Sequence, residues 1–156
     1  MTQIRQPRKR RSTIENLPQL RAFLMGASPI KMRVGLDAAS RYLLGVLSTE
    51  DGLTESTWFT QLGYRLTKEK RLSTQINDYA ASDYYDLPKS PPTPTQPFTI
   101  PEQLKEVIVQ TADTGPFKDK RGVTSIWLRA AICYIAFVER QIDRSTLPSH
   151  LYSAAL

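Results

Sequence analysis

The sequence predicts a mainly α-helical chain that carries two short strands. Three observations lead there. Residues 30–37 read IKMRVGLD, with apolar residues at every second position. Most other apolar residues recur at helical spacing. The order strand, helix, turn, helix then occurs twice, on either side of a proline-rich segment.

In the first strand Ile30, Met32, Val34 and Leu36 alternate with Lys31, Arg33 and Gly35. A period of two gives one buried face and one wet face. The period then changes: Ala39, Tyr42, Leu43, Val46 and Leu47 share a helical face that stops at the turn Glu50-Asp51-Gly52. Thr54 is a suitable N-cap for the next helix, Glu55 suits its first-turn dipole, and Leu53 is placed to staple onto Trp58. Trp58, Phe59, Leu62 and Leu66 form that helix's apolar face. Residues 77–101 hold six of the eleven prolines and the run Asp83-Tyr84-Tyr85-Asp86, which reads as a semi-rigid linker. Phe98-Thr99-Ile100 is the second extended piece, and Pro101 starts a helix with Leu104, Val107, Ile108 and Thr111 on one face. A loop at 113–122 carries Lys118, Lys120 and Arg121. Thr124 then caps a last helix that is apolar nearly all round from 126 to 138 and so requires burial on most sides.

These elements give a basic arm at 1–13, a first strand-helix-helix copy at 14–76, a linker at 77–95, a second copy at 96–143 and a tail at 144–156. A short helix is expected at 17–25, between Pro18 and Gly26. Leu36 and Trp58 are 22 residues apart and Ile100 and Trp127 are 27 apart, so the second copy carries a five-residue insertion. Trp58 and Trp127 each sit within an apolar helical face and are expected in the core. Tyr79, Tyr84 and Tyr85 are expected to pack on their own domain.

The 156 residues include 21 Lys and Arg against 15 Asp and Glu, a formal charge of +6. The excess is concentrated at one end: Arg5, Arg8, Lys9, Arg10, Arg11, Arg21, Lys31 and Arg33 stand against Glu15 within residues 1–36. That favours a polyanionic partner. One cysteine, Cys133, allows no internal disulfide and points to a reducing compartment. The longest apolar stretch, 126–138, is interrupted by Arg129 and is shorter than the roughly 20 residues a membrane span needs. Catalysis finds no support. His150 is the single histidine, so no metal site of the usual Cys/His spacing can be built. Gly45, Gly52 and Gly63 form no phosphate loop, and Asp37, Glu50, Asp51 and Glu55 read as cap, turn or surface acids. No enzyme activity, metal or cofactor is expected.

Thr124 to Ile132 (TSIWLRAAI) resembles the start of the second helix in the ribbon-helix-helix family of DNA-binding proteins, the Arc/MetJ/CopG group. Phe98 to Leu104 (FTIPEQL) resembles that family's strand-to-helix junction, and residues 31–37 and 54–59 resemble the same two places in the first copy. The resemblance covers residues 30–70 and 96–142. It implies that two strands pair antiparallel into a ribbon that enters the DNA major groove, with outward residues on bases and the second helix's N-terminus on a phosphate. The fold class expected is mainly α with a short antiparallel β-ribbon, arranged as a tandem ribbon-helix-helix pseudo-dimer. The chain is then a monomeric pseudo-dimer or, if identical strands pair, a homodimer.

Carried onto this sequence, the resemblance assigns base contacts to Lys31, Arg33, Gly35 and Thr99. A long basic side chain on a ribbon reaches guanine O6 and N7, and a glycine lets the backbone come close. Phosphate contacts fall to Arg8, Lys9, Arg10 and Arg11 of the arm and to Thr54, Thr124 and Ser125 at helix starts. Pro97 and Thr99 give the second strand no long donor, and Pro97 removes one backbone donor. The function expected is site-specific binding of double-stranded DNA, as a transcriptional repressor or plasmid-partition protein, in the cytoplasm and associated with DNA. An alternative is a DNA-linked adaptor that binds a protein partner through residues 145–156 or the linker, as partition adaptors of the ParR type do. A helical RNA binder using the basic arm is a third reading. In a eukaryotic source the arm would also suit nuclear import.

Overall fold

The computed structural model describes residues 28–82 and 90–153. The expected arm at 1–13, the helix at 17–25 and the pair Tyr84 and Tyr85 lie outside the described residues. The elements run β1 (Pro29–Val34), α1 (Ala38–Asp51), α2 (Glu55–Lys68), α3 (Lys70–Ser82), β2 (Gln96–Pro101), α4 (Glu102–Asp113) and α5 (Val123–Tyr134). A π-helical turn (Ile135–Glu139), a 3-10 turn (Arg144–Thr146) and the short helix α6 (His150–Ser153) follow. The chain is mainly helical with a small two-stranded antiparallel sheet.

The two strands are β1 and β2 of the same chain. Pro29 lies opposite Pro101, Lys31 opposite Thr99, Met32 opposite Phe98 and Arg33 opposite Pro97. In an antiparallel pair, residues alternate between exchanging backbone hydrogen bonds and facing away from the ladder. The Thr99 N–H donates sideways to a helix, to Ser56 Oγ, so the Lys31–Thr99 pair is of the second kind. The Arg33–Pro97 and Pro29–Pro101 pairs, two residues away on each side, are then of that kind too. The missing N–H of Pro97 therefore removes no bond from the ladder, and the second strand forms despite it.

Met32, Val34, Phe98 and Ile100 point into the core beneath the ribbon. Phe98 meets Phe59 of α2 edge to face at 4.9 Å, a geometry aromatic rings favour. The backbone of α2 passes close to α4 at Gly63, where a Cβ would come within 3.0 Å of Leu104 Cβ. Helix α5 is the centre of the molecule. Trp127, Leu128, Ala130, Ala131 and Ile132 are fully buried, against α1, α3, α4 and β1.

Three segments differ from the sequence-based expectation. The linker expected from residue 77 is helical as far as Ser82, because Leu72, Ile76, Tyr79 and Ala80 recur at helical spacing and are buried. Asn77 accepts a hydrogen bond from the Trp127 indole, Nε1 to Oδ1 at 2.7 Å. Residues 90–93 strap across the start of α1: Ala38 N–H donates to the Pro91 carbonyl, Ala39 N–H to Ser90 Oγ and Thr93 N–H to the Leu36 carbonyl. The Asp37 carboxylate accepts from Ser40 N–H in a capping box, so the strap and the cap together satisfy the first donors of the helix. The tail docks on the body through its described residues. Leu147 and Leu151 are buried, and α6 packs on α1.

Asn77→Ala leaves the fully buried indole N–H of Trp127 without its acceptor. An unsatisfied buried donor costs about 1–3 kcal/mol, and urea unfolding of the variant is expected to show a stability loss of that size with an unchanged denaturant slope.

Candidate nucleic-acid interface

The ribbon has one face on the core and one on solvent. Lys31 and Arg33 of β1 and Pro97 and Thr99 of β2 are exposed on the outer face. The register brings Lys31 beside Thr99 and Arg33 beside Pro97, and in pairs of this kind the Cα atoms stand about 4.5 Å apart. Three of the expected base-contacting residues, Lys31, Arg33 and Thr99, thus share one surface. Gly35 is placed differently. It lies past the last residue of β1, is half-buried, and donates its N–H to Ser125 Oγ at 2.9 Å. A Cβ there would meet Thr95 and Ser125 at ordinary van der Waals distances of 3.5 and 3.8 Å.

Two serines at helix starts hold the ribbon, one beyond the end of β1 and one within β2. Gly35 N–H, beyond β1, bonds Ser125 near the start of α5. Thr99 N–H, on β2, bonds Ser56 near the start of α2 at 3.0 Å. Each serine stands two residues before a buried tryptophan, Trp58 or Trp127. That shared Ser-x-Trp spacing was legible in the sequence, but Ser56 was not among the expected site residues.

Helix starts were expected to supply phosphate contacts. Thr54 is the N-cap of α2 and accepts from Thr57 N–H at 3.1 Å; it also donates its hydroxyl to Thr57 Oγ1. Thr124 is not a cap. Gly122 takes the N-cap position of α5 with a φ of 70°, a left-handed conformation that suits glycine, and Thr124 lies inside the first turn. Arg8, Lys9, Arg10 and Arg11 lie outside the described residues.

Among the described residues, three arginines are held in ion pairs. Arg41 pairs with Glu55 at 2.9 Å, and Arg140 pairs with Glu50 and Asp51. Arg65 bridges Glu69 and Glu139; burial works against its charge, but the two carboxylates outweigh it and raise its pKa. These arginines join α1 and α2 to each other and to the segment after α5. By contrast, among the described residues no carboxylate lies within ion-pairing distance of Lys31, Arg33, Lys118, Lys120 or Arg121. Lys105 of α4 donates its ammonium to the Lys31 carbonyl at 3.4 Å, adding a further cation beside the ribbon.

Comparison of the chain with protein families, with curated proteins and with solved structures finds no match. Among the described residues, no group of three or more His, Cys, Asp or Glu side chains is placed to hold a metal ion, and no helix is long and apolar enough to cross a membrane. Burial pushes the Cys133 thiol up to about 12, so it remains protonated at neutral pH.

The two serine bonds differ in exposure, and this sets their energetic weight. Ser125→Ala strands the part-buried Gly35 N–H, whereas Ser56→Ala leaves the exposed Thr99 N–H free to meet water. Ser125→Ala is expected to destabilise by about 1 kcal/mol or more, and Ser56→Ala by less than half of that. Chemical denaturation of the two variants checks the order.

Proposed function

We propose that the chain binds double-stranded DNA through the outer face of the β1–β2 ribbon, as a single-chain ribbon-helix-helix pseudo-dimer. The observation that carries this reading is the pair Lys31 and Arg33, exposed and without ion-pair partners among the described residues, on the free face of a two-stranded antiparallel ribbon. A major groove about 12 Å wide admits such a ribbon. Guanidinium and ammonium groups on it suit the O6 and N7 acceptors of guanine, and Thr99 beside Lys31 adds a short hydroxyl.

The pseudo-dimer part of the reading is supported by an internal correspondence. If Leu36 matches Ile100, then Gly35 matches Thr99 and Arg33 matches Pro97. Arg33 and Pro97 are opposite one another, so an axis relating the two halves would pass between them. Gly35 and Thr99 are the two residues whose N–H groups bond the matching serines, Ser125 and Ser56. The two halves thus clasp each other by equivalent bonds. In this reading the basic arm, N-terminal to the ribbon, adds affinity through phosphates at Arg8, Lys9, Arg10 and Arg11, while Thr54, Thr124 and Ser125 line the helix starts beside the ribbon. Repression or plasmid partition are the roles this binding would serve, in association with cellular DNA. The adaptor reading has less to draw on, since Leu147 and Leu151 of the proposed partner-binding peptide are buried in the chain's own core.

Selection from a random duplex pool, followed by gel shifts against duplex DNA and structured RNA, tests the reading. Arg33→Ala is expected to cost about 1–3 kcal/mol on the selected duplex and much less on random duplex. Equal weakening on both would reduce Arg33 to a phosphate contact, and a preference for RNA would reject the reading. The assembly has its own check. Light scattering of dilute protein is expected to give a folded monomer near 17.7 kDa, because both strands find their partner within the chain. A dimer that unfolds on dilution would reject the tethered arrangement.

A further inference from the structure

The ribbon carries its long cations on one strand, yet the opposite half of the molecule is not without charge. The link between α1 and α2 is the three residues from Gly52 to Thr54. The corresponding link between α4 and α5 runs from Thr114 to Gly122 and is nine residues long. Its cations, Lys118, Lys120 and Arg121, are all exposed.

This loop is anchored from below. Phe117 is buried to 1 % exposure. Gly115 sits so close to the body that a Cβ would come within 3.0 Å of Asn77 Oδ1 and 3.4 Å of the Trp127 ring. Turn hydrogen bonds run from Lys118 N–H to the Gly115 carbonyl and from Lys120 N–H to the Phe117 carbonyl. Three cations are thus presented from a backbone held to the core, with one acid, Asp119, between them. The loop leads straight into α5, whose Ser125 holds the Gly35 end of the ribbon. Farther from Gly35, beside Lys31 and Thr99, the start of α2 carries Glu55, already paired with Arg41.

We infer that the 114–122 loop is a phosphate anchor for one flank of the bound duplex, so that the DNA site is read unequally: bases from β1, backbone from the loop of the second half. The inference rests on the proposed DNA binding and adds to it a surface and a polarity. Lys31 and Arg33 select sequence. Lys118, Lys120 and Arg121 neutralise phosphates on the flank next to Gly35 and carry no sequence preference. The preferred site is therefore non-palindromic, and the protein binds it in one orientation.

The test compares the full chain with a Lys118→Gln/Lys120→Gln/Arg121→Gln variant on the selected duplex over a range of salt concentrations. Every phosphate that is no longer neutralised lowers the slope of log affinity against log salt by about 0.9, so a drop of about 2–3 is expected. The order of preference among duplex sequences is expected to stay as it was. A Lys70→Gln/Arg71→Gln variant serves as control. Those exposed cations lie beyond the far end of α2, about 20 Å along its axis from Ser56, and their removal is expected to leave the slope within about 0.5 of the full chain's. Phosphate ethylation interference on the selected site is expected to weaken on one flank only in the loop variant. A double Lys118→Gln/Lys120→Gln variant, expected to show a slope drop of about 2, replaces the triple if circular dichroism shows that the triple is unfolded. An unchanged slope, or interference weakened equally on both flanks, overturns the loop assignment while leaving the ribbon reading in place. Failure of the unaltered chain to bind duplex DNA overturns both.

Discussion

Prolines at 29, 97 and 101 decide the parity of the ribbon. None of them can donate to a ladder, so each must stand where its nitrogen faces outward. A slip of one residue would turn one strand over relative to the other: it would put either Pro29 or the pair Pro97 and Pro101 into hydrogen-bonded positions, and it would turn either Met32 and Val34 or Phe98 and Ile100 out to solvent. The backbone requirement and the burial requirement select the same pairing. Once that pairing exists, Lys31 and Arg33 have no choice of face, and the starts of α2 and α5 are brought against the ribbon, where Ser56 and Ser125 meet outward-facing N–H groups.

The core follows from this arrangement. A helix apolar on nearly every side needs neighbours all round, and one strand-helix-helix unit is too small to supply them. Helix α5 finds them in both halves and in additions that neither half would need alone. Helix α3 brings Asn77 to the Trp127 indole and Tyr79 to Tyr134, the residues at 90–93 close the start of α1, and Leu147 and Leu151 fold back to join the apolar cluster. The additions lie where the body needs covering, and the outer face of the ribbon is left open among the described residues.

Charge is partitioned along the same line. Arg41, Arg65 and Arg140 are matched by carboxylates that tie α1 and α2 to each other and to the segment after α5. The cations of the ribbon and of the 114–122 loop have no such partners among the described residues. Exposed ion pairs contribute little to stability, so cations without partners cost the fold little and remain available to a polyanion.

The sequence by itself determined the two strands, four of the helices and their faces. Strict alternation over Ile30 to Leu36 specified which strand side chains would be wet, and helical spacing located α1, α2, α4 and α5, because burial of one face imposes a period on the residues that form it. The same period is present in Leu72, Ile76, Tyr79 and Ala80, but the prolines and tyrosines that follow made the segment read as a linker. Tertiary structure alone decided which strands pair, that Pro97 falls in a harmless register position, that Gly35 bonds Ser125, and that Gly122 rather than Thr124 begins α5. It also decided that Leu147 and Leu151 belong to the core. Each of these depends on groups far apart in the chain, and periodicity, which compares a residue only with its near neighbours, carries no information about them.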